Sequence, residues 1–345
     1  MVARGKIVGI GAMNVDYILE GLAPDRWLEK LHLLAHDKDD EIPVGDEVLA
    51  QIVAEAEPDA LRRAAGGSSF NTIRAIARLN AGFDLGFVGC MGGPEADPLI
   101  AGVLRDLSIE AAFVWREPRR IHGTCIALTN RGQRLLLTGL GANAGLAKRL
   151  RSAQAPLAAH LATASAIHVT SSLDPDVPGL LAGILAAARQ AAPALMITVD
   201  PGAIWSAAHR RVEAIVNLVR LADVIFLNPR EARAWFGSAA LDGFRGIIVV
   251  KGADGARAYS AGGIDEIVVR TAPLPFSDIR HPVGAGDTFA AGVIAALAMD
   301  RRALPAALEL GHAMARFKLT QGEPPSPAGY EKLWVEANAQ ADHRE

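Results

Sequence analysis

The chain has 345 residues, of which 50% are hydrophobic and 21% are charged, and its formal net charge is −3. This length predicts about two domains, or one large α/β domain with an appendage, and the hydrophobic fraction is enough for a sizeable core. The balanced charge gives no electrostatic reason to expect nucleic acid or an anionic membrane surface as a partner.

Cysteine usage and the apolar runs predict a cytoplasmic protein. Cys90 and Cys125 are too few for a disulfide framework, and no CxxC spacing is present for zinc, so we expect buried thiols in a reducing compartment. The opening stretch, MVARGKIVGIGAMNVD, has too short an apolar run for a signal sequence. No segment approaches the ~20 apolar residues that cross a bilayer.

Short apolar runs alternate with segments of helical period along the chain. The runs are KIVGIGAM, LGFVGCMG, AIHVTS, LMITVDPG, VIFLNP and GIIVVKG. Helical period is present in SSFNTIRAIARLNA and at 178–192, 211–222 and 303–319. This order predicts βαβ crossovers and a largely parallel sheet covered on both faces. Near one edge, IVVKGADGARAYS and DEIVVRTA predict an antiparallel hairpin.

The first predicted strand, in GIGAMNVD, ends in polar residues. Asn14 and Asp16 are at alternate positions, which places their side chains on the same side of an extended chain. Gly9 and Gly11 also match the start of a dinucleotide-binding motif. Asn14 replaces the third glycine of that motif, however, and no acidic residue ends a second strand about 20 residues on. A nicotinamide-dependent oxidoreductase is therefore a remote alternative.

Two segments, 16–64 and 110–140, depart from the alternating pattern. The first is charged and irregular, with a helical stretch predicted around 46–63. The second contains GTCIALTNRGQRLLLTGL, which predicts two strands around a turn at residues 130–132. Either the two segments form a lid beside the edge of the sheet, or they are ordinary surface excursions. We interpret them as a lid.

Glycines precede a predicted helix in AAGGSSFNTIRAIARL. Gly66 and Gly67 permit a close approach to the backbone, and Asn71 lies in the first turn of the helix. An asparagine amide can donate and accept hydrogen bonds, which suits a ligand with several hydroxyl groups.

Two later stretches place polar residues and glycines at predicted strand ends, where open α/β sheets bind ligands. LNPREARAWFG has Asn228 and Glu231 where a strand passes into a helix. VKGADG has Gly252 and Gly255 after the next strand, together with Lys251.

The stretch RHPVGAGDTFAAGV introduces a predicted helix near Asp287 with Gly284, Ala285 and Gly286. A helix N-terminus has unpaired N–H groups and a positive dipole end, and small residues let a phosphate approach them. The carboxylate of Asp287 either caps the helix or accepts a proton from an attacking hydroxyl during phosphoryl transfer.

Together these motifs resemble the ribokinase-like, or PfkB, family of carbohydrate and nucleoside kinases, from residue 6 to about 322. The resemblance implies a three-layer α/β/α fold with a mostly parallel central sheet and a small lid. It assigns residues 1–335 to one kinase domain, with 16–64 and 110–140 as its lid, and leaves 336–345 as a polar tail. It also implies ATP and Mg²⁺, and it allows a homodimer paired through the lid.

The resemblance implies roles for the matched residues. Asp287 is expected to be the general base, and Gly284, Ala285 and Gly286 to form the anion hole, the cradle for the γ-phosphoryl group. Glu231, with Asn228, is expected to act on Mg²⁺ and phosphate through water. The expected substrate-binding residues are Asn14, Asp16, Gly66, Gly67 and Asn71. The expected nucleotide-binding residues are Asn228, Lys251, Gly252, Gly255, Gly284 and Gly286.

His281 and Pro282 stand where the family usually has Asp-Thr, in a loop that in relatives often helps to bind a monovalent cation. Potassium dependence is therefore left open. Lys251 either reaches a phosphate or lies in solvent. Arg134, in the predicted lid hairpin, either contacts substrate or phosphate or is exposed.

The acceptor is expected to be a sugar, with a nucleoside as the alternative. Four aromatic residues fall in or beside the predicted lid and would suit a purine, unless they belong to the core: Tyr17, Trp27, Phe113 and Trp115. A non-catalytic sugar-binding protein on the same fold is a further alternative. The presence of Asp287 and the anion-hole glycines argues against it.

Overall fold

The fold is described from a computed structural model of the chain. The structure describes residues 4–20, 28–29, 31, 41–56, 61–94, 98–130, 133–209, 212–260, 266–322 and 325–342.

The strands of these ranges form two separate sheets. In chain order they are β1 (Lys6–Ile10), β2 (Asn14–Glu20), β3 (Glu41–Pro43), β4 (Leu61–Gly66), β5 (Asp84–Gly92), β6 (Glu110–Glu117), β7 (Gly123–Asn130), β8 (Gln133–Gly139), β9 (Ala166–Thr170), β10 (Met196–Asp200), β11 (Val224–Leu227), β12 (Ile247–Gly252), β13 (Gly255–Tyr259) and β14 (Glu266–Arg270).

The main sheet has the order β14-β13-β12-β11-β10-β9-β1-β5-β6. Its strands from β12 to β6 pair in parallel, as the alternating pattern predicts. The β12–β13 and β13–β14 pairs are antiparallel, so the predicted hairpin lies at one edge. The fold is the expected α/β fold with a mostly parallel central sheet.

Helices pack on both sheets, and those on the main sheet cover both of its faces. They are α1 (Asp46–Glu55), α2 (Ser68–Leu79), α3 (Leu99–Asp106), α4 (Leu146–Ser152), α5 (Gln154–Leu161), α6 (Val177–Ala191), α7 (Gly202–Ala208), α8 (Glu213–Arg220), α9 (Pro229–Trp235), α10 (Ala285–Met299), α11 (Leu304–Gln321) and α12 (Pro327–Asp342). Of the helices the structure describes, each is too short or too polar to cross a membrane.

Two hydrophobic cores lie on opposite faces of the main sheet because successive strand side chains point to opposite sides. In β1, Ile7 belongs to the core under α2, α10 and α11, whereas Val8 belongs to the core under α6 and α8. Both side chains are fully buried. The main sheet is therefore the middle layer of three.

The second sheet, here the lid sheet, has the order β3-β8-β7-β2-β4. Its β7 and β8 pair antiparallel as the hairpin pattern predicts, and β2 pairs antiparallel with β4. One face packs on α1 through a third apolar cluster that includes Ile126 and Leu137. The alternate residues Cys125 and Leu136 face a cleft between the two sheets.

Several boundaries differ from the sequence expectations. Residues 110–117, expected in the lid, form β6 at the edge of the main sheet. Residues 61–63, expected at the end of a helix, belong to β4, because pairing with β2 outweighs the helical propensity of Leu and Arg. The segment 336–345, expected as a polar tail, is helical as far as Asp342 with Ala337 buried, since an amphipathic helix also exposes many polar residues.

Asn14 and Asp16 also lie in a different element from the one predicted. The first strand ends at Ile10, and Asn14 begins β2 in the lid sheet. The short segment 11–13 between them contains no residue that marks a strand end clearly, so the sequence pattern predicts a single strand. The alternate spacing still holds within β2, and both side chains reach the cleft.

Candidate active site

A cleft of about 510 Å³ lies between the lid sheet and the carboxyl ends of the main-sheet strands. Most of the residues singled out from sequence line it: Asn14, Asp16, Gly67, Asn71, Asn228, Glu231, Lys251, Gly284, Ala285, Gly286 and Asp287. Residues from both ends of the chain therefore meet at one site.

The N-terminus of α10 opens into this cleft. The helix begins at Ala285, two residues before the predicted start, and Gly284 is its N-cap with φ of 81°. That left-handed conformation favours glycine. Gly284 brings no capping side chain, and Thr288 N is hydrogen-bonded to Gly284 O at 3.0 Å. The amides of the first turn can therefore receive an anion.

Asp287 is held in the first turn of α10 by residues of α2. Its Oδ2 accepts a hydrogen bond from Asn71 Nδ2 at 3.0 Å, and its backbone carbonyl accepts one from Thr72 Oγ1 at 3.3 Å. Asn71 Oδ1 in turn accepts from Arg74 Nη1 at 3.0 Å. Arg74 also donates to the carbonyl of Ala65. A chain of hydrogen bonds thus fixes the orientation of the carboxylate.

Asp16 is a buried carboxylate on the lid side of the cleft. Its side chain is 7% exposed, and its Oδ1 has no hydrogen-bond partner among the described residues. Its pKa is raised to about 7, chiefly by burial. The Arg74 guanidinium lowers that pKa, and the like charges of Asp287 and Glu41 raise it. An unpartnered buried oxygen suits a ligand that brings a donor.

Gly66 lies behind Asp16 and does not line the cleft with the other predicted substrate residues. A Cβ at position 66 would collide with the Asp16 carboxylate. Gly67 has φ of 100°, and a Cβ there would collide with the carbonyl of Ala12. Gly66 thus makes room for a cleft residue, whereas Gly67 itself reaches the cleft as the N-cap of α2.

Asn14 is fixed by Asn143, a residue that no sequence motif indicated. Asn14 Oδ1 accepts a hydrogen bond from Asn143 Nδ2 at 2.9 Å, and Asn143 Oδ1 accepts from Met13 N at 3.1 Å. Gly123 leaves space for this pair, since a Cβ there would collide with both asparagine side chains. The position of Asn143 just after the lid hairpin, in GLGAN, was the only feature of the sequence that could have indicated a role at the site.

Lys251 lies between α10 and the end of β10. Its Nζ forms an ion pair with Asp200 Oδ2, and a Cβ at Gly286 would lie 3.3 Å from Lys251 Nζ. Burial lowers the pKa of the Lys251 ammonium. The carboxylates of Asp200 and Glu231 outweigh burial, so the pKa lies above its usual value and the group is charged. Lys251 is therefore not a solvent-facing residue, and Asp200 is a partner that sequence reasoning missed.

Asn228 and Glu231 form a capping box at the start of α9. Asn228 Oδ1 accepts from Glu231 N at 2.8 Å, and Glu231 Oε2 accepts from Asn228 N at 2.7 Å. Within the described residues there is no cluster of three or more His, Cys, Asp or Glu residues that could hold a metal ion. A carboxylate such as that of Glu231 could hold, through water, a cation such as Mg²⁺ that keeps most of its hydration shell.

Gly252 and Gly255 line a neighbouring cavity of about 500 Å³ with Pro229 and Thr271. Gly255 has φ of 127°, and a Cβ there would collide with the carbonyl of Val269. Pairing of β13 with β14 thus requires glycine at this position. The G-x-x-G element lies beside the main cleft and is not among the residues that line it.

Of the aromatic residues expected near a lid ligand, the three that the structure describes do not form a stacking platform at the cleft. Phe113 and Trp115 lie on β6, with ring centroids 5.8 Å apart, and pack against the core under α6. Tyr17 packs on apolar clusters and does not line the cleft. Trp27 and the side chain of Arg134 lie outside the described residues.

The loop before α10 is bound to the end of α11. Arg280 N and His281 N both donate to Leu319 O, at 2.9 Å and 3.0 Å. Arg62 Nη1 donates to His281 Nδ1 at 3.3 Å. His281 therefore takes part in a contact between β4 and this loop.

Comparison with known proteins gives one family match and several similar folds. The model of the pfkB family carbohydrate kinases matches residues 40–328. The probable fructokinase-6, chloroplastic, of Arabidopsis thaliana is 24% identical in an alignment over 265 residues, and the match covers 71% of this chain and 65% of the length of that relative.

The solved structures that resemble the chain share its fold at low identity. A probable sugar kinase from Rhizobium etli CFN 42 has a TM-score of 0.77 and 19% identity, covering 98% of this chain and 99% of its own. Adenosine kinase from Schistosoma mansoni, in complex with 2-fluoroadenosine, has a TM-score of 0.75 and 17% identity, covering 91% and 95%. Adenosine kinase from Anopheles gambiae has a TM-score of 0.74 and 20% identity, covering 93% and 98%.

Proposed function

The chain belongs to the pfkB family of carbohydrate kinases, which are phosphotransferases with an alcohol group as acceptor, and we propose that it transfers the γ-phosphoryl group of ATP to a hydroxyl of a small neutral sugar. The observation that carries this proposal is the Asp287 carboxylate in the first turn of α10, beside the glycine N-cap and oriented by Asn71. An anion cradle and a positioned base then lie in one cleft.

In the proposed reaction, the sugar hydroxyl gives its proton to the Asp287 carboxylate. The hydroxyl oxygen forms a bond to the γ-phosphorus while the bond from that phosphorus to the β–γ bridging oxygen breaks, and ADP leaves with the electron pair. Amides of Gly284, Ala285 and Gly286 would stabilise the charge of the transferring group. Lys251 would hold further phosphate charge. Asp287 then returns its proton to solvent.

Mg²⁺, when bound, would neutralise part of the phosphate charge. Glu231 and Asn228 would hold the ion through water. The hydrogen bond that Glu231 accepts from Asn228 N does not prevent this, because a carboxylate can also accept a hydrogen bond from a bound water. The residues of the chain therefore do positioning and charge compensation, which is most of what phosphoryl transfer needs.

The lid side of the cleft favours a neutral sugar as the acceptor. Asp16 and Glu41 provide carboxylate oxygens, and Asn14 provides a fixed amide. Such groups accept and donate hydrogen bonds with sugar hydroxyls, whereas their charges repel a sugar acid. No aromatic side chain lines the cleft in the part of the chain that the structure describes, so a purine has no ring there on which to stack. The likeness to a protein named a probable fructokinase supports the same assignment.

A panel assay tests the proposal. ATP consumption is measured with neutral pentoses and hexoses, sugar acids and nucleosides, and a change in NADH fluorescence tests for nicotinamide binding. We expect turnover with at least one neutral sugar, and turnover at least about 100-fold slower in Asp287→Asn. Turnover with nucleosides alone would favour the nucleoside alternative. ATP binding without turnover on any acceptor would favour a non-catalytic sugar-binding protein.

A further inference from the structure

Lys318 lies on the last turn of α11, beside the anion hole, and has no place in the reaction described above. Its Nζ donates a hydrogen bond to Gly322 O at 2.7 Å. Its Cε would lie 3.8 Å from a Cβ at Gly284, the N-cap of α10. The ammonium therefore occupies the space between the carbonyl end of α11 and the amide end of α10.

The carbonyl end of α11 is a place where a cation is stabilised, because the helix dipole is negative there. Three carbonyls at this helix end already accept hydrogen bonds. Leu319 O accepts from Arg280 N and His281 N, and Lys318 O accepts from Gly322 N at 2.9 Å. Gly322 O accepts from the Lys318 ammonium itself.

A monovalent metal ion fits this loop poorly. His281, which has no carboxylate to offer such an ion, lies beside Gly322, and its ring would lie 2.9 Å from a Cβ there. The Gly322 carbonyl is engaged by an ammonium group. A potassium ion at this place would have to compete with that ammonium for the Gly322 carbonyl.

The surroundings of Lys318 are strongly cationic. Arg62 on β4, together with Arg74 and Arg78 on α2, disfavours its charge, and Asp287 on α10 favours it. Burial is the largest effect, and the pKa is lowered to about 8. A bound anion of high charge would relieve this repulsion, which is consistent with a phosphate at the adjoining helix N-terminus.

We propose that Lys318 is a built-in cation of the anion hole, which compensates the charge of the transferring phosphoryl group so that transfer requires no monovalent metal ion. This inference rests on the proposed kinase function. Lys318 acts through its charge at the anion hole and not by contact with the acceptor.

The test compares turnover in potassium salts with turnover in tetramethylammonium salts of equal ionic strength. For the wild type we expect a difference of less than about twofold. For Lys318→Ala we expect kcat to fall by about 10- to 100-fold in tetramethylammonium, and to recover in part with ammonium or potassium ions that enter the vacated space. Lys318→Arg retains the charge and is expected to keep most of the activity. Lys332→Ala removes an exposed lysine on α12 and is the matched control.

A second readout needs no acceptor. Calorimetric titration of ATP and ADP measures how far each protein prefers the nucleotide with the γ-phosphate. We expect Lys318→Ala to lose most of that preference while binding ADP with wild-type affinity, which a merely destabilised variant would not do.

The inference is overturned if the wild type is activated more than about tenfold by potassium, or if Lys318→Ala matches the wild type in both kcat and nucleotide preference. A wild type that consumes no ATP with any acceptor would instead refute the proposed function. The two failures are therefore distinguishable.

Discussion

Asn71 and Asp287 are 216 residues apart in sequence and are joined by a hydrogen bond of 3.0 Å from the amide Nδ2 to the carboxylate Oδ2. This bond connects α2 to α10, the two helices whose glycine N-caps reach the cleft. The Arg74 guanidinium on Asn71 Oδ1 fixes which way the amide points. The same helix turn that would form the proposed anion hole therefore also carries an oriented carboxylate.

Asp287→Asn is expected to lower kcat by at least about 100-fold and to leave folding and ATP affinity close to wild type, because it removes a proton acceptor and little else. Turnover assays and calorimetric ATP titration check this outcome. Asp106→Asn, an exposed carboxylate on α3, is the control. Near-normal turnover in Asp287→Asn would remove the residue from its proposed role.

Asn71→Ala is expected to weaken acceptor binding at least about tenfold more than ATP binding and to lower kcat, because the carboxylate of Asp287 loses its donor while the phosphate cradle stays intact. Separate determination of KM for the acceptor and of the ATP dissociation constant makes the comparison. Equal weakening of both would indicate that Asn71 serves packing.

Asp16→Asn is expected to stabilise the free protein at pH 8 while abolishing acceptor binding. The folded-state pKa of about 7 lies above the ordinary value of 3.8, so the stability contributed by the protonated group is complete below 3.8 and is lost as pH rises through about 7. At pH 8 the buried charge costs up to about 4 kcal/mol, which the neutral asparagine avoids.

Thermal unfolding of wild type and Asp16→Asn at about pH 5 and pH 8 measures this effect. The difference in Tm between the two proteins should be larger at the higher pH. A difference that does not change with pH would show that the Asp16 carboxyl is not perturbed by burial.

The pH dependence of kcat/KM for ATP is expected to fall as pH rises through about 8, because the Lys318 ammonium loses its charge in the free enzyme. In Lys318→Arg, whose guanidinium stays protonated, this fall should move to higher pH. The groups that face Lys318 are unchanged in the variant. An identical alkaline limb in both proteins would contradict the assignment.

Gly255→Ala is expected to destabilise the protein by more than about 2 kcal/mol, since a left-handed conformation and a backbone collision coincide there. Gly252→Ala is the matched control, because its nearest obstacle is the movable end of Asp254 at 2.9 Å. Chemical denaturation compares the two. Loss of ATP affinity in Gly255→Ala without loss of stability would favour direct contact with the nucleotide.

The layer order and the convergence of strand ends were predictable from sequence, because apolar periodicity records burial and parallel strands end at one edge. The sheet to which β6 belongs was not predictable, because alternation of apolar and polar residues indicates a strand but does not indicate which strand it pairs with. Asn143 and Lys318 were missed for a related reason. Each acts through a contact with a distant element, and a lysine near a helix end also suits solvent exposure.

The lid sheet has a consequence for how the two substrates are brought together. Asp16 is carried by β2, whereas Asp287 is carried by a helix that packs on the main sheet, so one sugar would bridge two separate layers. The two carboxylates repel each other across the cleft, since the charge of Asp287 raises the pKa of Asp16. A sugar that supplies hydroxyl donors to Asp16 would offset that repulsion. Binding of the acceptor would in this way complete the site. In the absence of the acceptor, the repulsion between the carboxylates would disfavour the geometry in which ATP could be hydrolysed by water.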